Sequence, residues 1–400
     1  MKRLIILAAT LIAGLSACDS LLDKEPLDRV TQFDYFKTRS DLELFSNPFY
    51  DNLLDKTPYD EQNDLLVQMT LSDVLYGGDK RTVPNTGGGW SWGNLRRINT
   101  LLEYVDQCED KKAVTEYTAL AKFFRAAFYF DKVKRFGDVP WYDEPIDPDD
   151  DEQLYKGRDP RDYVMQKVLE DLDFAATWCS KASKYVNTNV INRYVALALK
   201  SRICLYEGTW RKYHGLDGSE EWLRACVAAS EELMGDSPYS LVSTAGEETT
   251  NYSKVFKSEE PQYTEVILAN EFNATLNRFH DASWYYASGS YGQRNSGPKA
   301  FVNMYLNLYG TRFTDKDGYN KTQFKDEFAG RDYRLRQTFI TPYYVKKVGG
   351  KETNEFAKVF PGLTTQLTYY RIIKWNTDDD ANESNTSSAN SLPVFRYAEI

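Results

Sequence analysis

Histidine is almost absent from this 400-residue chain, which has only His214 and His280. With no Cys-x-x-Cys pair among its five cysteines either, the usual ligand set for zinc and the usual pair for Cys/His nucleophilic catalysis are missing. No phosphate-cradling P-loop occurs. Nowhere is there a run of eighteen apolar residues, the length that crosses a bilayer as a helix. Positive charge is also in deficit: 49 Lys and Arg stand against 59 Asp and Glu, a formal net charge of −10, which argues against nucleic acid as a partner.

What is there begins with an address. Lys2 and Arg3 form a basic head, Leu4 to Ala13 a short apolar run, and Leu15-Ser16-Ala17-Cys18 a cleavage site ending in cysteine. Small residues before a cysteine are the mark of a bacterial lipoprotein signal. Residues 1–17 thus read as a signal peptide, Cys18 as the lipidated first residue of the mature chain, and 18–39 as an acidic spacer. Several acyl chains on one residue hold a protein on a membrane where a single chain would not. Loss of Lys2 and Arg3 moves the formal charge to about −12. The other cysteines, Cys108, Cys179, Cys204 and Cys226, fall in helical-looking segments, where small buried thiols are expected; one or two disulfides stay open in an exported protein.

Downstream, Ser40-Asp41-Leu42-Glu43 reads as a capping box, Ser40 as N-cap and Glu43 at N3, ahead of an amphipathic segment to about Leu54. The strongest helical stripe places apolar residues at 114, 117, 121, 124 and 128 of a helix over about Ala113–Arg135, which Gly137 and Pro140 close. After an acidic loop, Asp147 to Glu152, helices are predicted over Arg161–Trp178, Asn192–Glu207 and Trp222–Met234, with links that suggest antiparallel hairpins. The alternation of small and large residues in Tyr194, Ala196, Ala198, Ser201 and Leu205 suits tetratricopeptide-like stacking, although no regular period of 34 emerges.

Past residue 235 the texture changes to short strand-like pieces such as Glu265 to Ala269, separated by Gly-, Ser-, Asn- and Tyr-rich loops. The predicted fold is mainly α: a single domain over 40–400 with a helical scaffold mainly in 40–235 and a loop-rich, short-stranded face over 236–392. Asn376 to Asn390 reads as an exposed, mobile loop. Residues 393–400 read as the start of a helix that is cut short, which suggests a longer natural chain.

The run Phe123-Phe124-Arg125-Ala126-Ala127-Phe128-Tyr129-Phe130-Asp131, closed by Arg135-Phe136-Gly137-Asp138-Val139-Pro140, resembles a signature of the SusD/RagB family of outer-membrane nutrient-binding lipoproteins. Trp92-x-x-Leu95-x-x-Ile98-Asn99, Gly330-Arg331-Asp332-x-Arg334-Leu335 and Arg396-Tyr397-Ala398-Glu399 are similar to further motifs of that family, in its order. The resemblance implies a tetratricopeptide-like scaffold with a variable ligand face. It also implies a place on the cell exterior as the lid of a SusC-like TonB-dependent transporter, and capture of oligosaccharides or, in some members, peptides.

Two loops carry the residue types that sugar recognition needs, aromatic faces beside Asn, Asp or Arg. One runs from Tyr76 to Asn94 and offers Arg81, Trp90, Trp92 and Asn94; the other runs from Phe272 to Arg294 and offers Trp284, Tyr285, Tyr286, Tyr291 and Arg294. Trp92 joins the helical face of Leu95, Asn99 and Leu102, whereas Trp90 stays on the glycine loop and is the freer ring. Arg125 and Asp131 are assigned to framework or partner contacts. The acid runs at Asp147 to Glu152 and Asp378 to Asp380 are solvated charges, not a glycosidase pair, and Asp315-Lys316-Asp317-Gly318 is a turn, not a calcium loop. The readings carried forward are an oligosaccharide-binding protein, a peptide-binding one, and an exported glycan-degrading enzyme. No cofactor or metal is expected.

Overall fold

The computed structural model describes residues 35–53, 63–68, 75, 86–288, 295–354, 356, 367–383 and 386–400. The signal, Cys18, Arg81, Tyr291 and Arg294 lie outside the described residues. Among the described residues the first helix, α1 (Arg39–Ser46), is capped by Thr38 and not by Ser40. Thr38 Oγ1 accepts from the Asp41 N–H while the Asp41 carboxylate accepts from the Thr38 N–H, so a threonine–aspartate pair, two residues upstream of the expected serine–glutamate pair, forms the box. Pro48 then interrupts the ladder: a 3₁₀ turn, Asn47–Phe49, separates α1 from α2 (Tyr50–Leu53).

Next come α3 (Gly93–Tyr104) and α4 (Lys111–Phe136). The 26 residues of α4 span about 39 Å at 1.5 Å each. Asp110 opens it by accepting the N–H groups of Lys112 and Ala113. The predicted stripe is only part of what α4 buries, because Ala119, Phe123, Ala126, Tyr129 and Val133 are enclosed too. Covered on most sides, α4 is the central post of the molecule.

Then follow α5 (Asp151–Leu154), α6 (Arg161–Trp178), α7 (Arg193–His214) and α8 (Ser219–Asp236). Their contacts fix alternating directions. Lys122 and Arg125 of α4 meet Asp171 of α6, while Arg158, ahead of α6, reaches the Phe136 carbonyl at the far end of α4. Lys200 meets Asp173 and Glu207 meets Arg161 across α6 and α7. Ser201 meets Ser230 across α7 and α8, and at Gly208 a β-carbon would lie 2.8 Å from Leu223, so glycine lets the two helices touch. These are the tetratricopeptide-like antiparallel pairs of a mainly α fold. No helix among the described residues is long and apolar enough to cross a membrane.

The loop-rich part contains α9 (Asn251–Lys257), β1 (Val266–Asn270), α10 (Lys299–Met304), α11 (Tyr333–Thr338), the hairpin β2 (Val345–Val348) and β3 (Lys351–Asn354), and β4 (Leu392–Arg396). The end of the chain is thus a strand followed by the 3₁₀ turn Tyr397–Glu399, and not the start of a helix. β4 pairs antiparallel with β1, matching Val266 with Arg396 and Asn270 with Leu392. The buried, β-branched and aromatic residues of this pair form a partition. Ile267, Leu268 and Phe395 join the helical core, and Val266, Ala269 and Leu392 join a second core with Phe256, Phe272 and Trp375. Register shifts on either side of Leu268 let two successive residues face the same core. Arg202 of α7 locks the pair down by bonding Glu399 and the Val394 carbonyl.

Asn376 to Asn390 is packed where it is described. Asn376, Ser388 and Asn390 are buried. Asp378 holds Lys257 and the Tyr344 hydroxyl, and Asn390 donates to the carbonyls of Phe256 and Trp375. Polar composition misleads here because the polar groups satisfy the backbone of neighbouring loops. The four cysteines of the described region are free. Burial pushes the thiols of Cys179 and Cys204 up to about 12, so they remain protonated packing groups.

Candidate functional site

The first aromatic loop is built on α3 and the far end of α4. Gly87 and Gly89 have φ of 74° and 84°, backbone that favours glycine, and a β-carbon on Gly89 would sit 3.1 Å from Arg135 Nε. Two cations of α4 clip this loop: Arg135 Nε donates to the Gly88 carbonyl at 2.7 Å, and Lys132 Nζ donates to the Gly89 carbonyl. Chain direction then turns at Trp92, the N-cap residue of α3.

Trp92 is half-buried, edge-on to Phe128 and Tyr142 at 5.6 Å each, with the Lys132 ammonium over its ring. Leu95 and Asn99, on the same helical face, are buried; Asn99 donates to the carbonyls of Tyr142 and Glu144. Trp90 keeps 44% of its surface exposed. Its ring stands 5.0 Å from Trp92 and 4.8 Å from Phe136, both edge-on, and carries the Arg158 guanidinium 5.0 Å from its centroid. The pair is therefore a wedge of edge-packed rings with an open side.

Beside it lies a cavity of about 230 Å³ between the Pro48 turn, α3 and α4. Phe49, Phe124 and Phe128 form its apolar wall; Ser91, Asn94, Arg97, Asp131 and Lys132 bring polar groups to the same space. Among the described residues the side chains of Asn94 and Arg97 have no hydrogen-bond partner and face outward. Burial lowers the pKa of Lys132, partly offset by Asp131. This arrangement can hold a neutral polyhydroxyl ring: an apolar face for stacking, with donors and acceptors around the rim.

Gly89-Trp90-Ser91-Trp92-Gly93 also spells the Gly-x-Ser-x-Gly pattern. Its setting is not that of a nucleophile elbow, which sits between a strand and a helix with a histidine beside it. Ser91 is exposed on an irregular loop. His214 is stacked on Trp210, and His280 is buried in the other half of the molecule.

The second aromatic set sits on a π-helical turn, Ser283–Ala287, packed on the second core. Tyr286 is only 3% exposed, which makes it a core residue and corrects its place among candidate contacts. Trp284 and Tyr285 are half-exposed. The turn is pinned by polar groups: Ser283 Oγ bonds Ser388 Oγ at 2.8 Å, and the Ala282 N–H donates to His280 Nδ1. Since Nδ1 accepts, Nε2 carries the proton and donates to the Asn390 carbonyl at 2.7 Å, a neutral imidazole that burial keeps from protonating. Among the described residues no ring contact joins Trp284, Tyr285 or Tyr286 to Trp90 or Trp92.

Arg125 is framework: its guanidinium forks onto Asp171 at 2.6 and 2.9 Å, against the Trp141 ring. Asp131, by contrast, is exposed and lines the cavity. Lys132, Arg158 and Ser91 were not anticipated. Helical spacing from Phe128 could have pointed to Lys132; nothing local in the sequence distinguishes Arg158, which arrives from the link before α6.

Residues 264–400 match the model of the SusD family. SusD-like protein P25 of Formosa agariphila is 22% identical over 99% of this chain and 76% of its own length. Among solved structures, a SusD-like protein of Bacteroides fragilis superposes with a TM-score of 0.69 at 18% identity, covering 94% of this chain and 76% of that one. A SusD-like carbohydrate-binding protein of the same species gives 0.68 at 17% identity over 91% and 73%. A third neighbour, solved with a xylogluco-oligosaccharide, gives 0.56 at 15% identity over 90% and 69%.

Proposed function

The chain belongs to the SusD family, and on that premise we propose that it is a lipid-anchored outer-membrane protein that binds an oligosaccharide or polysaccharide by aromatic stacking. Held through Cys18 on the cell exterior, it passes its ligand to a TonB-dependent transporter. The observation that carries the reading is the open wedge of Trp90 and Trp92 beside a cavity rimmed by Asn94, Arg97 and Asp131. Sugar C–H faces stack on indole, and hydroxyls pair with such a rim. The carbohydrates named for two structural neighbours support the same chemistry. No catalytic residue is assigned.

Native gels containing a panel of polysaccharides test it, with a peptide panel alongside. Retardation by at least one glycan is expected, and Trp90→Ala should weaken it at least tenfold. Unchanged retardation in that variant would move the site to Trp284 and Tyr285. Retardation by no glycan would sink the reading, and release of reducing sugar that Ser91→Ala abolishes would replace it with a hydrolase. Copurification of the membrane-extracted protein with a large TonB-dependent barrel tests the transport step.

A further inference from the structure

Lys374 stands at the edge of the second core, away from the Trp90 wedge. Its ammonium nitrogen is 4.3 Å from the centroid of Phe256, 4.5 Å from that of Trp375 and 5.4 Å from that of Tyr252. Among the described residues no carboxylate or carbonyl accepts from it. The other charges around it are already paired. Arg396 of β4, over the same Phe256 ring at 4.9 Å, is bonded to Glu265 at 2.6 Å. Arg334, near Tyr252, is held by Asp332. Lys257, at the end of α9, is held by Asp378.

One cation is thus left without a counter-charge in an aromatic recess. The residue is half-buried, so part of its surface stays open to solvent. Burial, with Arg396 adding repulsion, brings its pKa down to about 7. Ring quadrupoles attract an ammonium but replace its water only in part. An anion arriving from outside supplies what is missing, and in a recess of low polarity that pairing is stronger than in open water.

We propose that Lys374, framed by Phe256, Trp375 and Tyr252, is a subsite for the anionic group, carboxylate or sulfate, of an acidic saccharide. This rests on the glycan-binding reading and narrows its substrate class to charged glycans. Binding of the anion holds the proton on Lys374, so affinity for an acidic ligand falls as pH rises from 6 to 8.5, while affinity for a neutral one does not change.

Calorimetry on the intact protein tests the assignment. Polygalacturonate against its methyl ester forms the carboxylate arm, and a sulfated galactan against its desulfated form the sulfate arm. In one arm the charged polymer should bind at least tenfold more tightly than its neutral counterpart. Lys374→Met should erase that preference, and Lys374→Arg should retain it, which separates a lost charge from a lost fold. A preference that survives Lys374→Met, or no preference in either arm, overturns the subsite. Binding of neutral glycans alone would overturn it and leave the glycan reading standing; binding of no glycan at all removes that reading as well.

Discussion

The helical half of the molecule and its loop-rich half bury their polar groups by different means. In α4, α6, α7 and α8 the backbone satisfies itself, and side chains are free to pack or to pair across helices. Buried charge there is concentrated in a few links such as Arg125 with Asp171, and Glu207 between Arg161 and Arg211. From α9 onward there is little ladder, and side chains take over the backbone's bonds. Arg331 donates to the carbonyls of Glu327, Val302 and Tyr305, while Asn390 and His280 tie three loops together. The first half tolerates surface change and resists breakage of a link. The second depends on many single polar residues, each bonded to loop backbone that lies outside any regular ladder.

The comparison breaks most visibly at Asp171. Asp171→Ala leaves Arg125 buried and unpaired, which should cost about 3–5 kcal/mol in chemical denaturation; a loss below about 1 kcal/mol would show the link to be dispensable. In the loop-rich half, Asn390→Ala strips two buried carbonyls of their donor at a cost of about 2–3 kcal/mol. Amide exchange should rise first around Phe256 and Trp375, with the helical half unaffected. Uniform opening of both halves would argue that they are one cooperative unit.

Trp90→Ala should destabilise by only about 1 kcal/mol, since the ring is partly exposed and gives up one cation–π contact and two edge contacts. A thermal melt near that of the parent protein, with glycan binding lost, would mark Trp90 as a ligand ring; a large drop in melting temperature would make it scaffold like Trp92. The smallest and most local effect concerns pH. His280 has its pKa lowered by burial, so the unfolded chain takes up the proton first. Its contribution is complete above about pH 6.5 and is withdrawn as pH falls below it. Amide protection at residues 282–286, corrected for the intrinsic pH dependence of exchange, should therefore fall at pH 5 relative to pH 7.5, and His280→Gln should lose that change.

The helices were legible because their signals are local. Arg161–Trp178 could be read off to the residue, and the start of α7 to within one, although α7 runs on to His214, past the expected end at Glu207. The misreadings share a cause. Ser40 competed with Thr38 for the cap of α1 on near-equal local terms, and geometry chose between them. The stretch 376–390 reads as disordered only while the backbone it serves is out of view. Leu392 to Arg396 reads as a helix until β1, far back along the chain, offers it a ladder. At the candidate site, Trp90, Trp92 and Asn94 were visible as aromatic and amide groups on a glycine loop, but Lys132 and Arg158 were not, because their role comes from packing against rings of other segments.

By itself the sequence determined the helical pairs and the resemblance to the family, since a 3.6-residue period and short ordered motifs are properties of neighbouring residues. Only the tertiary structure decided that Tyr286 is core, that a cavity opens beside Trp90 between α3 and α4, and that among the described residues no carboxylate pairs with Lys374. Exposure and charge pairing depend on what is nearby in space, and residues distant in sequence supply it.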